Sequence, residues 1–238
     1  MTRLMVDYFD VFLRDAPLDL KDVPRVQHAS MGEDVYRPVS SWRGDGSLSL
    51  YLDASTVALG AGVLVAAPPV EQPPVSLAMD PGEMDPCDGD YPAVLYLSEP
   101  LEAPLRVVGQ PSVELTLVAT SEDLDVIVGL GAYDDALGTY EPIQLGTLRA
   151  RYRNSPNEPQ PLASGAPTDL TVMLHPVTHV FAAGTRIALS VTGGSCHFVK
   201  NPLTGEPLSA QTEWSSGTLD LVGNTSAPSR LVLPFVED

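Results

Sequence analysis

The chain has 238 residues, of which 44% are hydrophobic, so it can bury a continuous core in a single large domain. Its 31 Asp and Glu residues outnumber its 13 Lys and Arg residues, which gives a net charge of −18. A surface of this sign repels the phosphates of nucleic acids and the anionic headgroups of membranes, so we expect neither as a partner.

The first residues of the chain and its two cysteines indicate the cellular compartment. Residues 1–7 lack the apolar run of a signal peptide, because Asp7 interrupts it. The longest apolar stretch, 57–67, is too short and too rich in glycine to span a bilayer. We therefore expect a soluble, cytoplasmic protein. Cys87 and Cys196 lie far apart and form no metal-binding pair, so we expect reduced thiols there, with one long-range disulfide as the open alternative.

The first sixteen residues predict one amphipathic helix that ends before Pro17. Asp7, Asp10 and Arg14 fall on its polar side. Its apolar stripe consists of Leu4, Met5, Tyr8, Phe9, Phe12 and Leu13. An isolated helix of this length is unstable in water, so the stripe needs a partner.

After an irregular stretch over 17–47, the chain alternates apolar and polar residues with a period of two, which is typical of strands that bury one face. The segment 47–52 is a clear strand and 57–65 is a weaker one. Residues 68–92 are crowded with Pro, Gly and acid, and predict a long ordered loop across the sandwich. About eight further strands are predicted from Ala93 onward. The alternating stripes are Leu48-Leu50-Leu52, Val113-Leu115-Leu117, Leu124-Val126-Val128-Leu130, Leu170-Val172-Leu174, Ile187-Leu189-Val191 and Leu231-Leu233-Phe235.

Short strands at regular spacing, with no alternating helices between them, predict an all-β sandwich or jelly roll with one short N-terminal helix. Several different short sequence motifs also follow one another along nearly the whole chain. They include Tyr8-Phe9-Asp10-Val11-Phe12-Leu13, Met31-Gly32, Tyr36-Arg37, Trp42, Leu50-Tyr51-Leu52, Asp80-Pro81, Asp85-Pro86, Gly109-Gln110-Pro111, Asp123-Leu124-Asp125, the segment 146–153, the segment 181–187, the segment 201–205 and Pro228-Ser229-Arg230-Leu231.

In this order the motifs resemble the C-terminal domain of the X-Pro dipeptidyl-peptidase, cocaine esterase and α-amino-acid ester hydrolase family. The resemblance implies a jelly-roll β-sandwich of the galactose-binding-like type over 23–238. It also implies that 1–22 is the end of an α/β-hydrolase domain, followed by a linker. The chain departs from the family pattern at Thr185, where a His is usual, and at 195–197, where a Ser-rich stretch ending in Pro is usual.

Family members carry a Ser-Asp-His triad on the α/β domain, with the nucleophile in a Gly-x-Ser-x-Gly turn. That motif is absent from all 238 residues, so we predict no catalytic residue, no cofactor and little activity of the chain alone. Cys196 and His197 are adjacent in sequence, and adjacent strand residues point to opposite faces, so they form no dyad. His175 and His179 have the spacing of a metal pair, but Pro176 prevents the helix that would stack them.

Two acidic groups remain to be assigned. The segment 80–90 carries many carboxylates, which a calcium ion would accept, but it lacks a recognised loop order, so a solvated loop is the preferred interpretation. We expect no metal there or elsewhere, with calcium left open. Asp123 and Asp125 are predicted to bond to Arg149 or Arg151 on a paired strand, in a structural role.

The function predicted from these observations is that of a non-catalytic module which packs on an α/β-hydrolase domain and shapes its cleft. Large side chains on irregular segments suit such a contact. The predicted interface residues are Phe9, Phe12, Tyr36, Trp42, Met79 and Tyr91. Two alternatives stay open, a free-standing carbohydrate- or ligand-binding module and a structural domain that forms homo-oligomers.

Overall fold

The computed structural model describes residues 2–16, 26–31, 36–38, 44–59, 61–79, 92–194 and 217–237. The predicted N-terminal helix is present as α1, Thr2–Arg14, and ends before Pro17. Among the described residues we find no helix with the length and apolar character that a bilayer crossing requires.

Fifteen strands make up most of the described chain. The first five are β1 (Gln27–Ala29), β2 (Tyr36–Pro38), β3 (Gly46–Asp53), β4 (Gly62–Val65) and β5 (Val75–Met79). The next five are β6 (Ala93–Ser98), β7 (Leu105–Gly109), β8 (Ser112–Ala119), β9 (Asp125–Asp134) and β10 (Thr139–Arg149). The last five are β11 (Pro167–Met173), β12 (Val177–Phe181), β13 (Arg186–Thr192), β14 (Gly217–Val222) and β15 (Arg230–Phe235). Short 3₁₀ turns lie at Val57–Leu59 and Ala150–Tyr152.

The described residues from Ala93 onward form ten strands, where about eight were expected. Short strands such as β7 and β12 do not show alternating apolar and polar residues, because both of their faces are partly covered. On β7, for example, the neighbours Arg106, Val107 and Val108 are all buried, although their side chains alternate between the two faces.

One hydrogen-bonded path runs through the main sheet in the order β10, β9, β13, β6, β4, β3, β15 and β8. Beyond it, β14 and β5 continue from one edge of β8, β11 pairs with the other edge, and β7 joins β15 to β12. All pairs are antiparallel except β4 with β6. An isolated bridge between Gly146 on β10 and Leu174, directly after β11, brings the two ends of the path together. The sheet therefore folds over into two packed layers, which confirms the predicted β-sandwich.

The predicted alternation is visible in the burial of individual residues. On β11, Leu170 and Val172 are buried whereas Thr171 and Met173 are exposed. The central strand β15 buries Leu231 and Leu233 completely. Phe235, predicted for the same stripe, is only half-buried because its ring lies at the end of the strand. Gly46 makes room for that ring, since a Cβ at position 46 would come within 2.7 Å of it.

We predict that Leu231→Ala lowers the free energy of unfolding by about 2–5 kcal/mol, because it leaves a cavity in a core that cannot collapse around it. Leu137→Ala is the matched control, since the same substitution at a side chain that is 73% exposed should change stability by less than about 0.5 kcal/mol. Urea unfolding followed by circular dichroism measures both values. Equal losses in the two variants would contradict the assignment of β15 to the centre of the core.

Candidate functional site

Among the described residues, no group of three His, Cys, Asp or Glu side chains is arranged to hold a metal ion. His175 is exposed just before β12, and its backbone N–H donates to the carbonyl of Leu145 at 3.1 Å. His179 lies in the middle of β12 and is half-buried. Cys87, Cys196, His197 and the acidic segment 80–90 lie outside the described residues.

A carboxylate at the start of β9 organises the best-defined polar cluster. Asp123 is 2% exposed, and its Oδ2 accepts a hydrogen bond from Arg149 Nε at 2.6 Å. Arg151 Nε lies 2.6 Å from the same oxygen, and the backbone N–H of Arg151 donates to Oδ1 at 3.0 Å. Asp125 stands opposite Arg149 in the β9–β10 register. The predicted pairing of Asp123 with these arginines is confirmed.

The Asp123 cluster fixes a loop to the sandwich. The 3₁₀ turn that carries Arg151 is held by the N–H of Ala150, which donates to the carbonyl of Leu124 at 2.8 Å. Farther along the loop, the N–H of Leu162 donates to the carbonyl of Glu122 at 2.7 Å. Both oxygens of Asp123 are engaged within the protein, so the cluster is suited to holding structure and not to binding a substrate.

A second polar cluster lies beneath residues 27–31, which we call the N-terminal strap. The strap crosses β7 and β12, and it buries His28 and Ser30 to 3% and 2% exposure. Arg106 on β7 donates from Nη1 to Ser30 Oγ at 2.9 Å.

Two hydrogen bonds to main-chain carbonyls hold the same end of the strap to β12. The N–H of Met31 donates to the carbonyl of Thr178 at 3.0 Å, and Thr178 Oγ1 donates to the carbonyl of Ala29 at 2.6 Å. No sequence pattern predicted this cluster. Its one local sign is a charged Arg106 inside the apolar run 105–108.

His179 borders the strap and packs edge-on against Phe181, with ring centroids 4.7 Å apart. Within the described part of the chain, its buried Nδ1 has no hydrogen-bond partner. Burial lowers the pKa of His179 from its ordinary value, and the nearby carboxylate of Glu141 opposes this shift. The imidazole is therefore held in its neutral form by desolvation.

The predicted interface residues fall in different parts of the fold. Phe9 and Phe12 lie on the exposed face of α1, at 50% and 62% exposure. Tyr36 is exposed on β2, which pairs with β1 of the strap. Met79, at the end of β5, is half-buried and packs against the core, so it is less available than the sequence suggested. Trp42 and Tyr91 lie outside the described residues.

The apolar stripe of α1 is the largest exposed hydrophobic feature of the described chain. Tyr8 packs on Phe9 and Phe12, with ring centroids 5.9 Å and 4.5 Å away. The large apolar side chains of α1 that are 50% to 75% exposed are Met5, Val6, Tyr8, Phe9, Phe12 and Leu13. Patches of this kind mark sites of protein contact.

A polar groove of about 440 Å³ lies over the outer faces of β8, β11 and β15. Arg230 donates to both carboxylate oxygens of Glu114, at 2.8 Å and 3.1 Å, and Thr116 Oγ1 donates to Asp169 at 2.7 Å. Arg153 forms part of one wall and donates to the carbonyls of Ala150 and Gln160. The described lining contains no aromatic ring on which a sugar could stack.

Comparison with known proteins gives one family and several solved structures. Residues 12–231 match the family model described as the X-Pro dipeptidyl-peptidase C-terminal non-catalytic domain. An α-amino acid ester hydrolase structure is 25% identical, with a TM-score of 0.78 over 97% of this chain and 44% of that one. No curated protein matches the chain.

Two further structures share the fold. An aminopeptidase from a marine sediment Thaumarchaeota archaeon is 21% identical, with a TM-score of 0.80 over 98% of this chain and 44% of that one. A CocE/NonD family hydrolase from Staphylococcus aureus is 16% identical, with a TM-score of 0.77 over 99% of this chain and 46% of that one. The chain thus spans less than half the length of each of these structures.

We predict that Asp123→Asn lowers the free energy of unfolding by about 3 kcal/mol, because it removes the buried negative charge that both guanidinium groups contact at 2.6 Å. Glu114→Gln is the control, since it breaks an ion pair whose side chains are 35% and 39% exposed and should cost less than about 1 kcal/mol. Chemical unfolding of both variants tests this order, and a larger loss for Glu114→Gln would contradict it.

We also predict a pH dependence that originates at His179. The unfolded chain takes up a proton near pH 6.5, whereas the folded chain resists it, so stability should fall as the pH drops below that value. The loss should level off below the depressed pKa of the folded state. Thermal unfolding between about pH 5 and pH 8 should show a smaller slope for His179→Gln than for wild type. The exposed His175→Gln variant should keep the wild-type slope, and an unchanged slope in His179→Gln would refute this origin.

Proposed function

The chain belongs to the family of X-Pro dipeptidyl-peptidase C-terminal non-catalytic domains, and on this basis we propose that it serves as the accessory β-sandwich of a serine hydrolase. In this proposal the sandwich packs on an α/β-hydrolase domain and shapes the cleft in which that domain binds its substrate. The catalytic groups belong to the partner domain, which is either part of the same polypeptide or a separate subunit.

The lengths of the similar structures support a missing catalytic domain. This chain corresponds to 44–46% of an aminopeptidase, an ester hydrolase and a CocE/NonD hydrolase, so more than half of each lies outside the similarity. The absence of a Gly-x-Ser-x-Gly turn from this chain agrees with a nucleophile located in that other half.

The exposed stripe of α1 is the observation that carries the proposal. Burying Phe9 and Phe12 against a partner would stabilise the assembly by about 1.5–3 kcal/mol for each side chain. Without a partner, a thirteen-residue helix with this face exposed has little to stabilise it. We propose that residues 1–22 complete the catalytic domain and that 23–238 form the sandwich module.

In this proposal the N-terminal strap connects α1 to a fixed position on the sandwich. It follows shortly after α1 in sequence and is bonded to both β7 and β12. A catalytic domain attached to α1 would therefore be held close to this side of the sandwich. Tyr36, exposed on the strand that pairs with the strap, is placed to join the same contact.

Ligand binding in the polar groove is the weaker candidate function. The charged side chains of the groove already bond to one another or to backbone carbonyls. A sugar would have to compete with these bonds and would find no ring to stack on among the described lining residues.

We predict that Phe9→Asp and Phe12→Asp each weaken association with the catalytic domain by at least about tenfold. Each variant removes a large side chain that the assembly would bury and puts a charge in its place. The test is to co-express this chain with the α/β-hydrolase domain that the proposal requires, in the same or a separate polypeptide, and to measure co-purification and hydrolysis of a p-nitrophenyl ester. Arg14→Gln is the matched control, because it changes the net charge by the same amount on the polar side of α1.

The expected result is loss of assembly and of ester hydrolysis in the two Phe variants, with Arg14→Gln like wild type. Assembly that is unaffected by either Phe variant would contradict the role given to α1. Enzymatic turnover of the ester by this chain alone, abolished by replacing one of its serines, would contradict the proposed function as a whole.

A further inference from the structure

Strand β4 pairs with only part of β3, which leaves a gap in the sheet beside β3, and the sequence explains why. Strand β4 ends at Val65 because Ala66 and Ala67 lead into Pro68 and Pro69, which cannot donate hydrogen bonds to a ladder. As a result β4 pairs with β3 only at Tyr51, Leu52 and Asp53.

The rest of β3 is bonded on one side only. Residues 46–50 pair with β15, and among the described residues no strand lies on their other side. Strand β6, the other neighbour of β4, also ends at this level, with Ser98 opposite Leu64.

An apolar cavity of about 460 Å³ opens at this gap, and we call it the β3–β6 cleft. The buried side chains of Leu64 and Ile187 belong to the core at its base. Leu48, Leu50 and Leu101 line its walls. Leu48 is only half-buried although it belongs to the stripe that faces the core, because the cavity beside β3 exposes one side of it. A volume of this size is within the range of small-molecule sites.

The mouth of the cleft carries excess negative charge. Glu99 and Glu102 both line it and are exposed. Arg186 Nη1 lies 3.8 Å from the carboxylate of Glu99. Its Nε bonds to both carboxylate oxygens of Asp135 at 2.8 Å and 2.7 Å, and its Nη1 donates to the carbonyl of Ser98. Arg186 thus pairs closely with Asp135 and more distantly with Glu99. The carboxylates of Glu99, Glu102 and Asp135 outnumber this one guanidinium, which leaves excess negative charge to attract a cation.

We propose that the β3–β6 cleft is a binding site for a primary aliphatic amine in its ammonium form. The alkyl chain fills the apolar cavity between Leu48, Leu101 and Ile187. The ammonium group stays at the mouth, where it donates hydrogen bonds to the carboxylates of Glu99 and Glu102. An anion of the same length is repelled there, and a neutral alcohol lacks the charge attraction.

The isoleucines of the chain provide a sharp test, because they are Ile127, Ile143 and Ile187 and only Ile187 lines the cleft. The experiment titrates hexylammonium into the full chain carrying labelled isoleucine methyl groups and follows their NMR shifts. The expected result is a saturable shift of the Ile187 signal at about millimolar ligand, with Ile127 and Ile143 unchanged. Octylammonium should bind about fifteenfold more tightly, at about fourfold for each added methylene.

Charge selectivity is tested with matched probes and variants. Hexylammonium should bind more tightly than hexanol, and hexanoate should bind least. The double variant Glu99→Gln with Glu102→Gln should lose about fivefold in affinity for hexylammonium and bind it no better than hexanol. Glu122→Gln with Glu158→Gln changes the net charge equally at exposed positions outside the cleft lining and should behave as wild type.

Three results would overturn the proposal. They are an unchanged Ile187 signal at saturating octylammonium, equal shifts at all three isoleucines, and equal binding of the ammonium, alcohol and carboxylate probes. None of these results depends on a catalytic domain, so a failure of ammonium binding in the cleft would leave the proposed accessory role intact. Failure of that role would likewise leave the cleft assignment standing.

Discussion

The structure depends on the burial of one apolar stripe per strand between two layers of a single folded-over sheet. Leu231 and Leu233 show the principle on β15, where both are completely buried in a strand bonded to β3 and β8. An interior built from aliphatic side chains supplies cohesion without nucleophiles or bases. Reactive and charged groups are thereby confined to strand ends, outer faces and loops, and any function of the chain must be located there.

The polar clusters follow from the same constraint, because each one covers or closes a place where the two layers are incomplete. Asp123 lies at the start of β9 and binds the loop that returns from β10, while Ser30 and Arg106 join the N-terminal strap to β7. Buried charged groups of this kind are stable only when their hydrogen bonds are satisfied. Their role is to position loops and connections, which accounts for the absence of free catalytic oxygens in the Asp123 cluster.

The sequence predicted the features that depend on local pattern and missed those that depend on distant partners. The period-two stripes of β8, β11 and β15 and the 3.6-period stripe of α1 could be recognised because each lies within a dozen neighbouring residues. The Asp123 pairing was predictable because Arg149 ends the adjacent hairpin strand β10 and Arg151 follows it in the next turn. Ser30 and Arg106 are 76 positions apart, and nothing local to either residue indicates the contact. The half-burial of Met79 could not be read from the sequence for the same reason, since the core contacts that cover it are tertiary.

Among the described residues, the stripe of α1 and the β3–β6 cleft are apolar surfaces that differ in shape, and this difference separates the roles proposed for them. The stripe of α1 is convex and formed by large side chains, so only a complementary protein surface can cover it. The β3–β6 cleft is concave and narrow, and it exists because Pro68 and Pro69 end β4 before β3 is fully paired. A protein face can seal the first without entering the second. The proposed contact of α1 with a catalytic domain and the proposed cation site in the cleft are therefore compatible. The negative net charge of the chain favours a cation at the mouth.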